Sequence, residues 1–223
     1  MDLSLQDLLR SIDLDFLRDS LLRIAAVLLC LTVHETCHGL AALSLGDPTA
    51  REEHRLSLNP LRHIDWLGLA MMLAAGFGWA KPVPVDPRYF KKPKRGMALT
   101  ALAGPVSNLL LALLAVFLSR EVYVYGTWLP GGTGVQIWLF RFLLYILAPL
   151  SIGLGLFNLL PVPPLDGAKV LGAFLPDRTY FSLMRYERYG MLVLLALSWF
   201  GVTGDIISGA IMNVYRFLFE LFY

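Results

Sequence analysis

Charged residues are scarce in this sequence, and cysteine is nearly absent. Charged side chains make up 16% of the 223 residues, whereas an ordinary soluble domain has about 25%. The chain has two cysteines, too few for the set of disulfides that holds a small secreted scaffold together. The composition therefore excludes an ordinary soluble domain and a disulfide-stabilised scaffold.

Apolar residues dominate instead. They make up 57% of the chain, and the mean hydropathy is +0.61. So much apolar surface offsets the entropy lost on folding, which excludes an intrinsically disordered chain. A helix that crosses a bilayer needs about 20 apolar residues, and stretches of this kind predict an all-α polytopic membrane protein. We expect a helical bundle forming a single transmembrane domain over 1–223, with spans at 21–46, 97–119, 135–160 and 189–204, and with 206–223 either continuing the last span or forming a further helix.

Residues 64–85 differ from these spans. They contain three glycines and two prolines, which suit a helix poorly. The end of the stretch, 77–85, alternates like a short edge strand. Irregular backbone at membrane depth must be buried in protein or line a wet cavity. Two interpretations stay open, namely a re-entrant or interfacial β-hairpin and a short, glycine-rich transmembrane helix that ends at Ala80.

Lysine and arginine are concentrated in one loop. Residues 81–95 contain six of them and one acidic residue, whereas the loop 120–134 contains one arginine and one glutamate. Short loops rich in lysine and arginine stay on the cytoplasmic side. This rule predicts a multi-pass protein of the cytoplasmic membrane in which 21–46 and 135–160 both run towards the cytoplasm, provided that 64–85 does not cross. Since topology accounts for the basic residues, we predict no nucleic-acid partner.

The first predicted span contains the sequence His34-Glu35-Thr36-Cys37-His38. Positions i and i+4 share a helix face, so the two histidines can bind one metal ion. Glu35 lies about 100° around the helix, close enough to act on a water molecule there. This H-E-x-x-H pattern is typical of zinc peptidases, in which the glutamate is the general base. The alternatives are a polar contact between helices and a proton relay.

A hydrolytic zinc site needs a third protein ligand. The best candidate is Asp166, which follows three prolines at the end of the 135–160 span and precedes Gly167. Prolines break a helix, and such an element can project one carboxylate into the bundle. Taken alone, Asp166 would by default be interpreted as a capping residue in a Pro/Gly loop that ends a helix. Weaker candidates lie in the polar loop after the first span, where solvated side chains are expected: Asp47, Glu52, Glu53, His54 and His63.

Four segments together resemble the site-2 protease family of intramembrane zinc metalloproteases, and within it the small members without an inserted PDZ domain. In chain order they are H-E-T-C-H over 34–38, G-W-A-K-P-V-P over 78–84, A-G-P-V-S-N over 103–108 and N-L-L-P-V-P-P-L-D-G over 158–167. All four occur in the family's order and together they span most of the chain. The resemblance implies one Zn²⁺ per chain, a catalytic base at Glu35, and the ligands His34, His38 and Asp166.

The resemblance also concerns the substrate. It implies that Asn158 lies near the active site and holds substrate or the developing oxyanion. It further implies that the segment around 78–84 is a membrane-embedded hairpin that pairs with an unwound substrate strand. Asn108, in the middle of a span, either contacts substrate or forms a hydrogen bond between helices. The further substrate-binding candidates are Gly78, Lys81 and Pro82.

These features predict an intramembrane zinc metalloprotease that hydrolyses peptide bonds within or near transmembrane segments of membrane protein substrates. Its active site is expected towards the cytoplasmic side of the membrane. One alternative is a metal-binding membrane transporter, against which the lack of internal repeats counts. A second alternative is an inactive scaffold that binds transmembrane helices, which would not need the full set of ligand types.

Overall fold

A computed structural model of the chain describes residues 14–68, 80–185 and 202–223, together with Gly190, Leu194 and Ala196. Within these residues the structure is helical and contains no strand. The helices are α1 (Leu14–Ser44), α2 (Thr49–Glu52), α3 (Pro93–Tyr125), α4 (Gly132–Arg141), α5 (Ala148–Asn158), α6 (Asp166–Gly172), α7 (Asp177–Arg185) and α8 (Val202–Phe222). A π-helical stretch, Phe142–Leu147, joins α4 to α5, and short 3₁₀ turns occur at Pro60–Arg62, Pro87–Tyr89 and Gly126–Trp128.

Three helical stretches are long and apolar enough to cross a membrane, namely Leu17–Ser44, Pro93–Trp128 and Gly132–Asn158. They coincide with the apolar stretches predicted at 21–46, 97–119 and 135–160. The predicted span 189–204 lies mostly outside the described residues, and α8 begins at Val202 and runs through Asp205 without a break. The chain is therefore a multi-pass helical membrane protein.

The ends of these helices follow from local sequence. The chain leaves α1 through Gly46, whose φ of 104° is a left-handed conformation that favours glycine. Pro93 begins α3 at the first helical position, where its missing N–H has no partner to lose. The helix therefore begins four residues before the predicted position 97. Lys94 and Arg95, which lie between Pro93 and that position, continue the helix.

Small residues bring α1, α3 and the Gly132–Asn158 span close together. The buried core contains Ala26 of α1, Ala112 and Ala115 of α3, and Ala148 of α5. Small side chains allow membrane helices to approach closely, so packing replaces the hydrophobic effect as the source of stability. At one end of the bundle the Arg18 guanidinium lies 3.7 Å from the centroid of the Trp138 ring, which sets the starts of α1 and of the third span side by side. Near their other ends, His38 and Asn158 line one cavity, so the two spans run parallel.

The predicted re-entrant segment is described only at its two ends. Ile64 and Ala80 form an isolated antiparallel bridge, and the Lys81 N–H donates to the His63 carbonyl at 2.9 Å. The two ends of the segment therefore lie side by side. Residues 69–79, including Gly78, lie outside the described residues, and the β-hairpin stays a prediction.

Candidate metal centre

His34 and His38 stand one turn apart on α1 and point to the same side. Their ring centroids lie 4.5 Å apart, with the ring planes at 89°. Both side chains are buried. A buried imidazole needs partners for both ring nitrogens, and the packing of α1 against its neighbours supplies them.

Asp166 completes a set of three side chains that could hold a metal ion. It is the first residue of α6, and its Oδ2 atom lies 3.1 Å from Nε2 of His34 and 3.1 Å from Nε2 of His38. One ligand atom from each of the three residues lies within 4.8 Å of the other two, and all three residues are buried. Burial alone would raise the pKa of the Asp166 carboxyl, but the two histidines hold it below its usual value. The carboxylate is therefore ionised and able to bind a cation.

A glycine makes this position of Asp166 possible. A Cβ atom on Gly167 would lie 2.1 Å from the Leu159 carbonyl oxygen, so the backbone after the proline-rich loop passes closer than any side chain allows. The chain can thus fold back against the end of α5 and direct Asp166 inward. The prolines and the glycine in the sequence correctly predicted a broken helix that projects a carboxylate.

The α3 helix forms another wall of the metal centre. The Thr100 carbonyl lies 2.7 Å from Nδ1 of His38, and Nδ2 of Asn108 lies 3.1 Å from Nδ1 of His34. Between them, a Cβ atom on Gly104 would lie 2.5 Å from Nε2 of His38 and 2.6 Å from Nε2 of His34. Positions 100, 104 and 108 share one face of a helix, which here contacts both histidines.

Thr100 and Gly104 were not predicted as site residues. The sequence does carry a signal, because a polar residue, a glycine and an asparagine repeat every four positions inside an apolar helix. Such a stripe indicates a close helix contact. It does not show that the contacting surface consists of metal ligands.

Glu35 lies beside the histidines at the wall of a cavity of about 460 Å³. Its Oε2 atom accepts a hydrogen bond of 3.0 Å from the Val83 N–H. The glutamate therefore lies between the metal-binding residues and the segment that follows Ala80. The described residues lining this cavity include His34, Glu35, His38, Pro82, Val83, Phe157, Asn158, Leu165, Asp166 and Lys169.

The predicted substrate-binding residues occupy different positions. Asn158 lines the cavity, and its Nδ2 donates to the Leu154 carbonyl at 3.0 Å; an amide nitrogen has two hydrogens, so one remains available. Pro82 also lines the cavity. The exposed Lys81 side chain lies in a separate open depression beside His54.

The other candidate ligands do not join the metal centre. Among the described residues, only His34, His38 and Asp166 form a group that could hold a metal ion. The Asp47 carboxylate is fully buried and accepts hydrogen bonds from the Thr49 and Asp86 N–H groups. Nε2 of His63 lies 2.7 Å from the Ser57 carbonyl. Both side chains hold loops in place. They are therefore buried structural residues, whereas the sequence analysis expected solvated side chains in a polar loop.

Comparison with known proteins assigns the family. The model described as Peptidase family M50 matches residues 132–200. A candidate zinc metalloprotease of Bacillus subtilis, YwhC, is 40% identical over 174 residues, which cover 78% of each chain. The chain belongs to peptidase family M50. As a member of M50 it is a metalloprotease, and the resemblance to site-2 proteases is confirmed.

Other M50 relatives extend over more of the chain. A candidate zinc metalloprotease of Mycolicibacterium smegmatis, Rip2, is 30% identical over 183 residues, 79% of this chain and 66% of that protein. The Rip2 protein of Mycobacterium tuberculosis, also named as a candidate zinc metalloprotease, is 29% identical over 206 residues, 89% of this chain and 73% of that protein. No solved structure matches the chain significantly.

The metal centre of this M50 member fits zinc. Two imidazole nitrogens and one carboxylate oxygen are a common set of protein ligands for hydrolytic zinc, leaving one position open for water or substrate. The outer nitrogen of His38 faces the Thr100 carbonyl, the kind of acceptor that a zinc-binding histidine requires, and the outer nitrogen of His34 faces the side-chain amide of Asn108. In addition, the Asn108 Oδ1 atom is buried and has no hydrogen-bond partner, which leaves an acceptor available beside His34.

Proposed function

We propose that this M50 protease hydrolyses peptide bonds within or near the transmembrane segments of membrane proteins, using one Zn²⁺ held by His34, His38 and Asp166. The observation that carries the proposal is the position of the three buried ligands, two of which belong to a membrane span. His34 lies ten residues before the end of the Leu17–Ser44 span, a distance of about 15 Å along the helix. A peptide bond cleaved there would lie within the membrane.

Each residue of the site has a chemical task in this proposal. When bound, zinc supplies Lewis-acid chemistry that acidifies water and polarises a carbonyl group. Glu35 takes a proton from the attacking water and passes it to the leaving amine. The free N–H of Asn158 is suited to donate to the developing oxyanion. The buried histidines and aspartate keep the metal in a fixed position next to that glutamate.

The charge distribution supports an orientation for the site. His38 and Asp166 lie towards the ends of parallel spans that are followed by the more basic loops, and such loops stay in the cytoplasm. We infer that the active site faces the cytoplasmic side of the cytoplasmic membrane. Its partners are then the lipid bilayer and the transmembrane segments of substrate proteins.

A transmembrane substrate must unwind before cleavage, because a helix hides its carbonyl groups in hydrogen bonds. The segment 80–85 is suited to hold the unwound strand. It passes Glu35 through the Val83 N–H, it lines the cavity through Pro82, and its preceding end pairs with Ile64 as an antiparallel bridge. Addition of a strand beside a segment of this kind is a common way to bind extended peptides.

Arg55 holds this segment in place, and its replacement is expected to impair cleavage without loss of metal. The side chain is buried, and its Nη2 donates to the carbonyls of Lys81 at 2.8 Å and Pro82 at 3.2 Å. Arg55→Met keeps the apolar stem and removes both hydrogen bonds, so we expect cleavage to fall about tenfold or more, since each hydrogen bond to a charged donor contributes about 1.5–3 kcal/mol. The measurements are cleavage of a transmembrane substrate and zinc content.

Arg51→Met, on the exposed side of α2, is the matched control. Equal cleavage by the two variants would contradict a positioning role for Arg55.

The proposed site is tested directly by the metal content of detergent-purified protein. We expect about one zinc per chain and an affinity loss in Asp166→Ala that exceeds the 10- to 100-fold typical of residues around the ligands. Elemental analysis and chelator competition measure both quantities without knowledge of the substrate. Asp177→Ala, an exposed aspartate at the start of α7, is the control. Folded protein without zinc, or an Asp166→Ala variant with unchanged affinity, would contradict the three-ligand site.

A further inference from the structure

The two histidines of the metal centre are supported differently by α3. Nδ1 of His38 faces the carbonyl of Thr100 at 2.7 Å. A carbonyl only accepts hydrogen bonds, so Nδ1 carries the hydrogen and Nε2 presents its lone pair to the metal centre. The backbone therefore fixes the tautomer that a metal ligand needs.

His34 has a side chain in the corresponding place. Nδ1 of His34 lies 3.1 Å from the amide nitrogen of Asn108, whereas the amide oxygen Oδ1 is buried without a partner. Asparagine can present either its N–H₂ or its carbonyl group to a neighbour, since the two groups have nearly the same shape. An N–H donor facing Nδ1 places the His34 hydrogen on Nε2, where it points towards Asp166 Oδ2, 3.1 Å away. If the amide carbonyl faces Nδ1 instead, Nδ1 carries the hydrogen, and the lone pair of Nε2 is available to a metal ion.

From this arrangement we propose that Asn108 is a positioning residue for zinc: its Oδ1 accepts the Nδ1–H of His34 and so directs the lone pair of Nε2 towards the metal. This inference rests on the proposed function, in which His34 is a ligand. It assigns Asn108 to the support of the metal rather than to the binding of substrate. Rotation of the amide by 180° gives the unpaired Oδ1 atom its donor.

The position of Asn108 is held tightly enough for this task. The residue is fully buried, and the Ser151 hydroxyl of α5 donates to its backbone carbonyl at 2.8 Å. At the next turn, a Cβ atom on Gly155 would lie 3.0 Å from the Pro105 carbonyl oxygen. α3 and α5 are therefore in direct contact at this level, which fixes the amide relative to the His34 ring.

Two substitutions separate an acceptor role from simple packing. Asn108→Leu has a similar volume and no acceptor, whereas Asn108→Asp keeps an acceptor at the same place. We expect Asn108→Leu to bind zinc about 10–100-fold more weakly than the unchanged protein, as is typical when the partner of a ligand is removed. Asn108→Asp is expected to bind at least tenfold more tightly than Asn108→Leu. Chelator competition measures both affinities, and the Tm after removal of the metal reports on packing.

Other outcomes would overturn the inference in distinguishable ways. Unchanged zinc affinity in Asn108→Leu, with reduced cleavage, would assign Asn108 to substrate. Equal loss of affinity in both variants, together with a lower Tm after metal removal, would assign it to packing. If instead His34→Ala and Asp166→Ala bind zinc normally, the proposed three-ligand site fails, independently of Asn108.

Discussion

Glu35→Gln is expected to lower peptide cleavage by about 10²–10⁴-fold, the contribution of general acid–base catalysis, with zinc still bound. Glutamine has the shape of glutamate, and its amide oxygen can still accept the hydrogen bond from Val83. It cannot take a proton from water. The measurement is the cleavage rate of a transmembrane peptide reconstituted with the protease in liposomes, beside the zinc content of the same preparation.

An exposed glutamate provides the control for this substitution. Glu52→Gln at the end of α2 makes the same chemical change away from the cavity and should leave cleavage unchanged. If Glu35→Gln loses zinc, the residue belongs to the metal centre rather than to proton transfer. If cleavage falls less than tenfold with zinc retained, the general base is another group.

Gly104→Ala is expected to weaken zinc binding about 10- to 100-fold and to lower cleavage with it. The added methyl group would lie within 2.6 Å of Nε2 of His34 and of His38, and both rings are confined by α1 and Asp166. Overpacking of this kind costs about 1–3 kcal/mol, and 1.4 kcal/mol is a factor of ten in affinity. Chelator competition on the purified variant measures the effect.

A second glycine separates this clash from the general effect of alanine in a membrane helix. A Cβ atom on Gly209 of α8 would have no neighbour within 4 Å, so Gly209→Ala should bind zinc normally. Zinc affinity in Gly104→Ala within about twofold of the unchanged protein would show that the histidines can move without leaving the metal. The close approach of α3 would then be a matter of packing alone.

The sequence predicted which residues meet at the candidate metal centre better than it predicted their surroundings. His34, Glu35 and His38 follow from helical spacing, and Asp166 follows from a broken helix whose prolines and glycine are adjacent to it in the chain. Thr100, Gly104 and Arg55 could not be found in this way. Each acts on a partner more than 20 residues away. The stripe on α3 indicates a close helix contact, but which residues it meets depends on how the elements pack.

The same distinction applies to the fold. Hydropathy located three spans, since about 20 apolar residues are a strong local signal. The helix α3 extends before the predicted span 97–119, because Lys94 and Arg95 continue the helix and have long stems that reach polar surroundings. The glycines and prolines of 64–85 suggested irregular backbone. The pairing of Ile64 with Ala80 could not be predicted from them, because the two residues are distant in the chain and share no local sequence pattern.

The stripe on α3 has a consequence for repeated turnover. The supports of both histidines belong to one long helix packed in the core, whereas the segment 80–85 on another part of the cavity wall is held by a few hydrogen bonds, from Arg55 and to Glu35. We expect that segment, rather than α3, to move when a peptide enters the cavity. In the proposed mechanism the metal would then stay bound from one substrate to the next.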